Sequence, residues 1–278
     1  MAQPGPASPF AVAAEGYDRL MGRYLPTLGP VFADAAEVTA GQHVLDVGCG
    51  PGGLTTVLVD RVGTDGTVAA IDPSPPFVAA CRARHPGVDV REGVAEDLPY
   101  ADATFDASLA SLVVGFMSDP VAGVGEMRRV TRPGGRVALS FWDLEDMPLL
   151  GTFWRAVATA LGPAAGGEEA RVGRQRGDLA RLLEAAGTSV VVDDRLTCTA
   201  SYEGFEDWWS SFTGGAGPVG AFQVSLGEEQ RERVREAADA LLGHPRSTFT
   251  LQASAWCAVG TVRTPGAAWA SSLSGAGQ

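Results

Sequence analysis

The stretch VLDVGCGPGG, Val44 to Gly53, constrains the fold of this chain more than any other part of it. The apolar run 43–47 predicts a short buried strand, and the glycines at 48, 50 and 53 predict a tight turn. The pattern over 53–62 predicts a helix that starts at once. A strand that feeds directly into a helix finds its parallel partner only after a crossover. Further apolar runs at 67–72, 87–92, 105–110 and 136–142 supply such partners, with helical patterns at 74–84 and 120–130 between them. Strands alternating with helices imply an α/β fold with a mainly parallel sheet. A chain of 278 residues is long enough for one large domain carrying an inserted lid.

The character changes after Trp142. Residues 144–175, rich in Ala and Gly, read as helix and loop; 178–187 reads as an amphipathic helix with a glycine stop, and 188–197 as a strand. Residues 201–225 hold aromatics and the glycine-rich break GGAGPVG, and a charged helix is expected over 228–242. In 249–259, Phe249, Leu251, Ala253, Ala255, Cys257 and Val259 alternate with other residues, which predicts a strand with one buried side. The expected organisation is an N-terminal helical cap (1–40), a cofactor-binding core (41–143) and a substrate lid or insertion containing a sheet strand (144–243). A terminal strand (244–263) and a tail (264–278) follow. The ends, 1–9 and from Thr264 onward, are rich in small residues, Pro and Gly and are expected to be mobile.

Charge and composition exclude several classes. The formal net charge is −12 and no run of Lys or Arg occurs, which argues against a nucleic-acid partner. The longest apolar stretches fall well short of the roughly 20 residues that span a bilayer. Cys49, Cys81, Cys198 and Cys257 are far apart with no C-x-x-C, and His43, His85 and His244 complete too small a set for a metal cage. No charged and apolar leader pattern opens the chain, so a cytoplasmic location is expected.

Gly48, Gly50 and Gly53 form a G-x-G-x-x-G between a strand and a helix, the context in which that spacing binds a nucleotide. Asp72 ends the next strand, about 20 residues on, where a carboxylate accepts hydrogen bonds from ribose hydroxyls. These features suit NAD as well as any other nucleoside. Asp46 breaks the tie: a carboxylate two residues before the first glycine repels a pyrophosphate and suits a ligand with an ammonium or sulfonium group. No second dinucleotide-binding half is apparent. The expected ligand is a nucleoside with a cationic amino-acid tail, the form of S-adenosylmethionine.

Taken together, VLDVGCGPGG, AAIDPS, GVAEDLPY with ATFDASLAS, and TRPGGRVALSFW resemble the class I S-adenosylmethionine-dependent methyltransferases. The resemblance is to the branch that holds the ubiquinone/menaquinone-biosynthesis and many small-molecule methyltransferases. It covers about residues 40–142, with a weaker echo at YDRLMGRY (17–24). It implies a Rossmann-like fold: a mainly parallel seven-stranded sheet with a C-terminal antiparallel strand and a helical lid insertion.

By the same resemblance, Asp46, Gly48, Cys49 and Gly50 line the methionine moiety, and Asp72, Pro73 and Ser74 hold the ribose. Val94, Ala95 and Glu96 flank adenine, while Ala110 and Ser111 stand beside the amino-acid end. Val94 departs from the family, which often has Asp or Asn there; Ala95 or Glu96 is then expected to compensate. Cys49 is expected to pack against the cofactor rather than react.

Tyr17 and Arg23 belong to a segment that closes over the cofactor in similar enzymes. Trp208 and Trp209 are adjacent, so on a helix both cannot face one core. With Trp142 and Phe212 they are candidates for a substrate pocket. No base motif is visible; Tyr17 and Tyr202 are the weak catalytic candidates. The expected activity is methyl transfer to an O, N or C nucleophile of a small apolar or aromatic metabolite. The alternatives are non-methylating chemistry on the same fold (a cyclase or decarboxylase), a nicotinamide-dependent oxidoreductase, or a binding module without catalysis.

Overall fold

The computed structural model describes residues 14–163 and 173–263. The expected mobile ends, 1–9 and 264–278, lie outside the described residues. The N-terminal cap contains α1 (Ala14–Leu20) and α2 (Leu25–Ala35). The core then alternates β1 (His43–Val47), α3 (Gly53–Val62), β2 (Thr67–Asp72), α4 (Pro75–Arg84) and β3 (Asp89–Glu92). It continues with β4 (Phe105–Ser111), α5 (Pro120–Val130) and β5 (Thr131–Trp142). The second half contributes α6 (Pro148–Leu161), α7 (Asp178–Ala185), β6 (Thr188–Tyr202), α8 (Phe205–Ser210), α9 (Gly217–Ser225), α10 (Glu228–Leu241) and β7 (Phe249–Val262).

The strands form a seven-stranded sheet in the order β3-β2-β1-β4-β5-β7-β6. The first five run parallel, and β7 inserts antiparallel between β5 and β6. This is the Rossmann-like architecture expected from the resemblance. Period-2 alternation in β1 and β2 sends Val44 and Val68 to one face and Leu45 and Ala69 to the other. On the first face lie α2, α3, α6 and α8; on the second lie α5 and α7. A smaller cluster seats α4, through Val78 and Cys81, on Ala70 and Val90.

β5 and β7 depart from the expected pattern. The Pro-Gly-Gly at 133–135, ahead of the run 136–142 expected as the strand, lies inside β5 as an irregularity: Thr131 pairs with Phe105, and regular pairing resumes at Ala107 with Arg136. β7 shows the expected one-sided burial only at its start, where Thr250 and Gln252 are exposed. Further along, Ala258 and Cys257 are both buried, because α7 covers the second face there.

The aromatic stretch at 205–212 is the main correction. Trp208, Trp209 and Phe212 are buried, in the core rather than in a substrate pocket. The helix-face argument fails because α8 has six residues and is covered on both sides. The Trp208 ring meets Phe212 edge-on at 4.9 Å, while Trp209 lies 6.3 Å from both Phe153 of α6 and Phe205. Tyr202 is equally buried, stacked 5.4 Å from Phe249, which removes it from the catalytic candidates.

Candidate active site

A cavity of about 520 Å³ opens at the C-terminal ends of the parallel strands, where ligands of open α/β sheets bind. A neighbouring cavity of about 250 Å³ shares Tyr17 and Gly48 with it. The glycine loop forms the floor between them. Gly48 and Cys49 donate their backbone N–H groups to the Ile71 carbonyl at 2.8 and 3.1 Å, which ties the loop to the end of β2. Gly48 has a φ of 70°, and a Cβ there would stand 2.2 Å from Cγ2 of Val113. A side chain is therefore excluded by both conformation and space.

Asp72 organises one end of the larger cavity. Its Oδ2 accepts from the Gly50 N–H at 2.9 Å and its Oδ1 from the Ser74 N–H at 2.8 Å. A carboxylate offers about four acceptor sites, so both oxygens keep capacity for a diol. Burial raises the Asp72 pKa, and those two N–H groups oppose the rise. Pro73 and Ser74 line the same wall. Across the cavity, Val94 is 45% exposed, and Gly93, Val94, Ala95 and Glu96 form the wall beyond β3. The carboxylate of Glu96 turns to the next loop: its Oε1 accepts from the Ser118 and Asp119 N–H groups at 2.7 and 3.1 Å.

Asp46 alternates with Leu45 and Val47 and so faces α3, where the Thr55 hydroxyl donates to its Oδ2 at 2.7 Å. Burial, reinforced by the Asp72 charge and opposed by Thr55, pushes its pKa up to about 7. Asp46, Cys49 and Ser111 line the smaller cavity. The Cys49 thiol is held far above the ordinary range by its hydrogen bond with Cys81 and by burial, so it is no thiolate nucleophile. Ala110 lines neither cavity; it is fully buried in the cluster under α5.

Tyr17, from α1, lies over the loop, its ring 5.3 Å from Phe77. Burial and the charges of Asp72, Asp18 and Asp46 drive its phenol pKa upward, so the phenol keeps its proton. Asp18 forms an ion pair with Arg84, which also donates to the Pro51 carbonyl at 3.0 Å and thereby straps α1 to the loop. Arg23 lines neither cavity: it is paired with Asp207, and its guanidinium lies 5.0 Å from the Tyr202 ring centroid.

The far end of the larger cavity is apolar. Trp142 lines it, together with Phe116, Phe141, Leu144 and Leu150. Sequence reasoning missed most of this wall, including Arg174 and residues 217–219. The glycine-rich break around 214–220 was the one signal for the last of these, since such a loop can approach a ligand closely. Among the described residues no group of three or more His, Cys, Asp or Glu is placed to hold a metal ion, and no helix is long and apolar enough to cross a membrane.

Residues 45–139 match the family defined as a methyltransferase domain. An uncharacterised methyltransferase of Mycobacterium tuberculosis is 39% identical over 137 residues, 49% of this chain and 53% of that protein. A demethylmenaquinone methyltransferase of Paenarthrobacter aurescens is 36% identical over 129 residues, 46% and 48% of the two chains. The chain thus spans about half the length of these curated relatives. A solved structure from Anaeromyxobacter dehalogenans, described as a candidate type II methyltransferase, superposes with a TM-score of 0.63 at 20% identity. It covers 85% of this chain and 97% of that one, and at that identity it speaks to the fold alone. The matched segment, residues 45–139, is thus a methyltransferase domain, and its sheet order and glycine loop are similar to those of the class I S-adenosylmethionine-dependent methyltransferases.

Proposed function

We propose that the protein transfers the methyl group of S-adenosylmethionine to a small apolar or aromatic metabolite. The observation that carries this reading is the continuity of the larger cavity. It runs from a nucleoside end built on Asp72 to an apolar end built on Phe141 and Trp142. Its volume lies within the range of small-molecule sites.

The residues present suit the cofactor. Asp72 keeps acceptor capacity for the ribose hydroxyls, and Asp46 offers negative charge toward a cationic tail. Gly50 leaves open space facing Tyr17, since a Cβ there would meet nothing nearer than Cε1 at 3.8 Å. Val94 and Met117 supply an apolar wall for the base. Glu96 acts on that wall by fixing Ser118 and Asp119 through its Oε1.

When bound, S-adenosylmethionine supplies a methyl group on a sulfonium that leaves as a neutral thioether. The protein's own share is then alignment and exclusion of water, and alignment can contribute up to about 7–11 kcal/mol. Tyr17 covers the junction of the two cavities as a protonated donor. Titration calorimetry with S-adenosylmethionine, S-adenosylhomocysteine and NADH tests the assignment. Binding of the first two is expected; tight NADH binding without them sinks it. Asp72→Ala is expected to weaken cofactor binding by about 1.5–3 kcal/mol, the range for lost hydrogen bonds to a charged group.

A further inference from the structure

Among the described residues, four that are not glycine adopt the left-handed backbone: Glu37, Ala103, Leu112 and His244. Three of them are exposed. Leu112, with a φ of 62°, is buried and lines the larger cavity. A bulky side chain is uncommon in this conformation, which glycine adopts freely. Strain of this kind persists only where the surroundings hold it, and it collects at functional sites. Here the Leu112 N–H donates to the Ser140 carbonyl at 2.8 Å. The side chain packs in one apolar cluster with Leu20, Trp142 and Leu150, which line the same cavity. Glycine would make the turn without strain, so the strain comes from placing a leucine side chain at this point.

The neighbours of Leu112 show what that point is. Ser111 lines the smaller cavity, whereas Leu112 and Val113 line the larger. The side chain of Val113 closes on Gly48, and Gly48 lines both cavities. The chain after β4 therefore crosses from one cavity to the other at Leu112, beside their junction. On the methyltransferase reading, Asp72 in the larger cavity and Asp46 in the smaller hold opposite ends of the cofactor. The reacting carbon then belongs between them, and an acceptor reaches it through the apolar space that Leu112 shares with Trp142 and Leu150.

Resting on that reading, we infer that Leu112 is a specificity-determining residue. Its side chain, held in place by the left-handed backbone, narrows the space between the junction and the wall of Leu20, Trp142 and Leu150. It thereby limits the width of the acceptor. The substrate class is a narrow apolar or aromatic molecule; a wider ring system meets the leucine before it reaches the junction.

The test uses the full chain saturated with S-adenosylhomocysteine and two aromatic alcohols, 2-naphthol and the wider 9-phenanthrol. Apolar area alone favours the wider probe, so a preference for the narrower one reads a steric limit. Calorimetry is expected to show 2-naphthol binding about ten-fold more tightly or better, the scale on which apolar pockets discriminate. Leu112→Ala should abolish that preference, and Leu112→Met, which conserves volume, should retain it. An undiminished preference in Leu112→Ala overturns the inference. So does equal or tighter binding of 9-phenanthrol by the unaltered protein, or no binding of 2-naphthol. Thermal melting confirms that the variants fold. Leu112→Gly, which removes the strain together with the side chain, gives the same reading if Leu112→Ala does not fold. Titration of the unaltered protein with S-adenosylhomocysteine alone reads the underlying assignment separately: absence of binding there refutes that assignment, whereas the probe preference tests Leu112.

Discussion

Asp46 and Asp72 stand at the ends of adjacent parallel strands and are both buried, yet they line different cavities. Asp72 is tied by two backbone N–H groups; Asp46 is held by one hydroxyl and sits at a pKa of about 7. A bound cation favours the ionised form of Asp46 and so lowers that value. Below pH 7 the free protein carries a proton there that must leave on binding. Cofactor affinity should therefore rise with pH, at most about ten-fold per unit, up to about pH 7, and flatten above it. Calorimetry between pH 5.5 and 8.5 in buffers of differing ionisation enthalpy checks both the slope and the released proton. Asp46→Asn should flatten the profile; a slope that persists in that variant assigns the linkage to another group.

At the scale of elements, the loop between β1 and α3 shows how one residue type becomes obligatory. Gly48→Ala places a methyl group against the Val113 side chain in a left-handed conformation. Together these are expected to cost about 2–5 kcal/mol of stability, from backbone strain and overpacking. Adding Val113→Ala should recover only the packing share, and denaturant titration of the single and double variants separates the two. This loop, β1 and α3 were legible in the sequence because their signals are local: an apolar run, glycines and a helical period in direct succession. The placement of Asp46 and Asp72 beside this loop was legible for the same reason. Trp208 and Trp209 were misread because the burial of both faces of α8 depends on α6 and β6, which are distant in sequence. Arg174 and residues 217–219 carry no local mark of a site; the chain's return to the end of β5 brings them there. The position of Glu96 was legible, but the partners of its carboxylate, at 118–119, were set by the loop after β4.

For the molecule as a whole, the site and the largest aromatic cluster occupy separate places. The cavity lies across the ends of β1 to β5, whereas Phe153, Trp208, Trp209 and Phe212 bind α6 and α8 together beneath it. Folding free energy and ligand contacts should then be separable by mutation. Trp208 is 0% exposed and lines neither cavity. Trp208→Ala is expected to cost about 3–5 kcal/mol of stability through the void it leaves. Affinity for S-adenosylhomocysteine should stay unchanged at temperatures where the variant is folded. A substrate-pocket role predicts the opposite pattern, a small loss of stability with altered acceptor preference. Melting curves with and without S-adenosylhomocysteine distinguish the two, because a ligand that binds only the folded state should raise the midpoints of parent and variant by similar amounts at equal saturation.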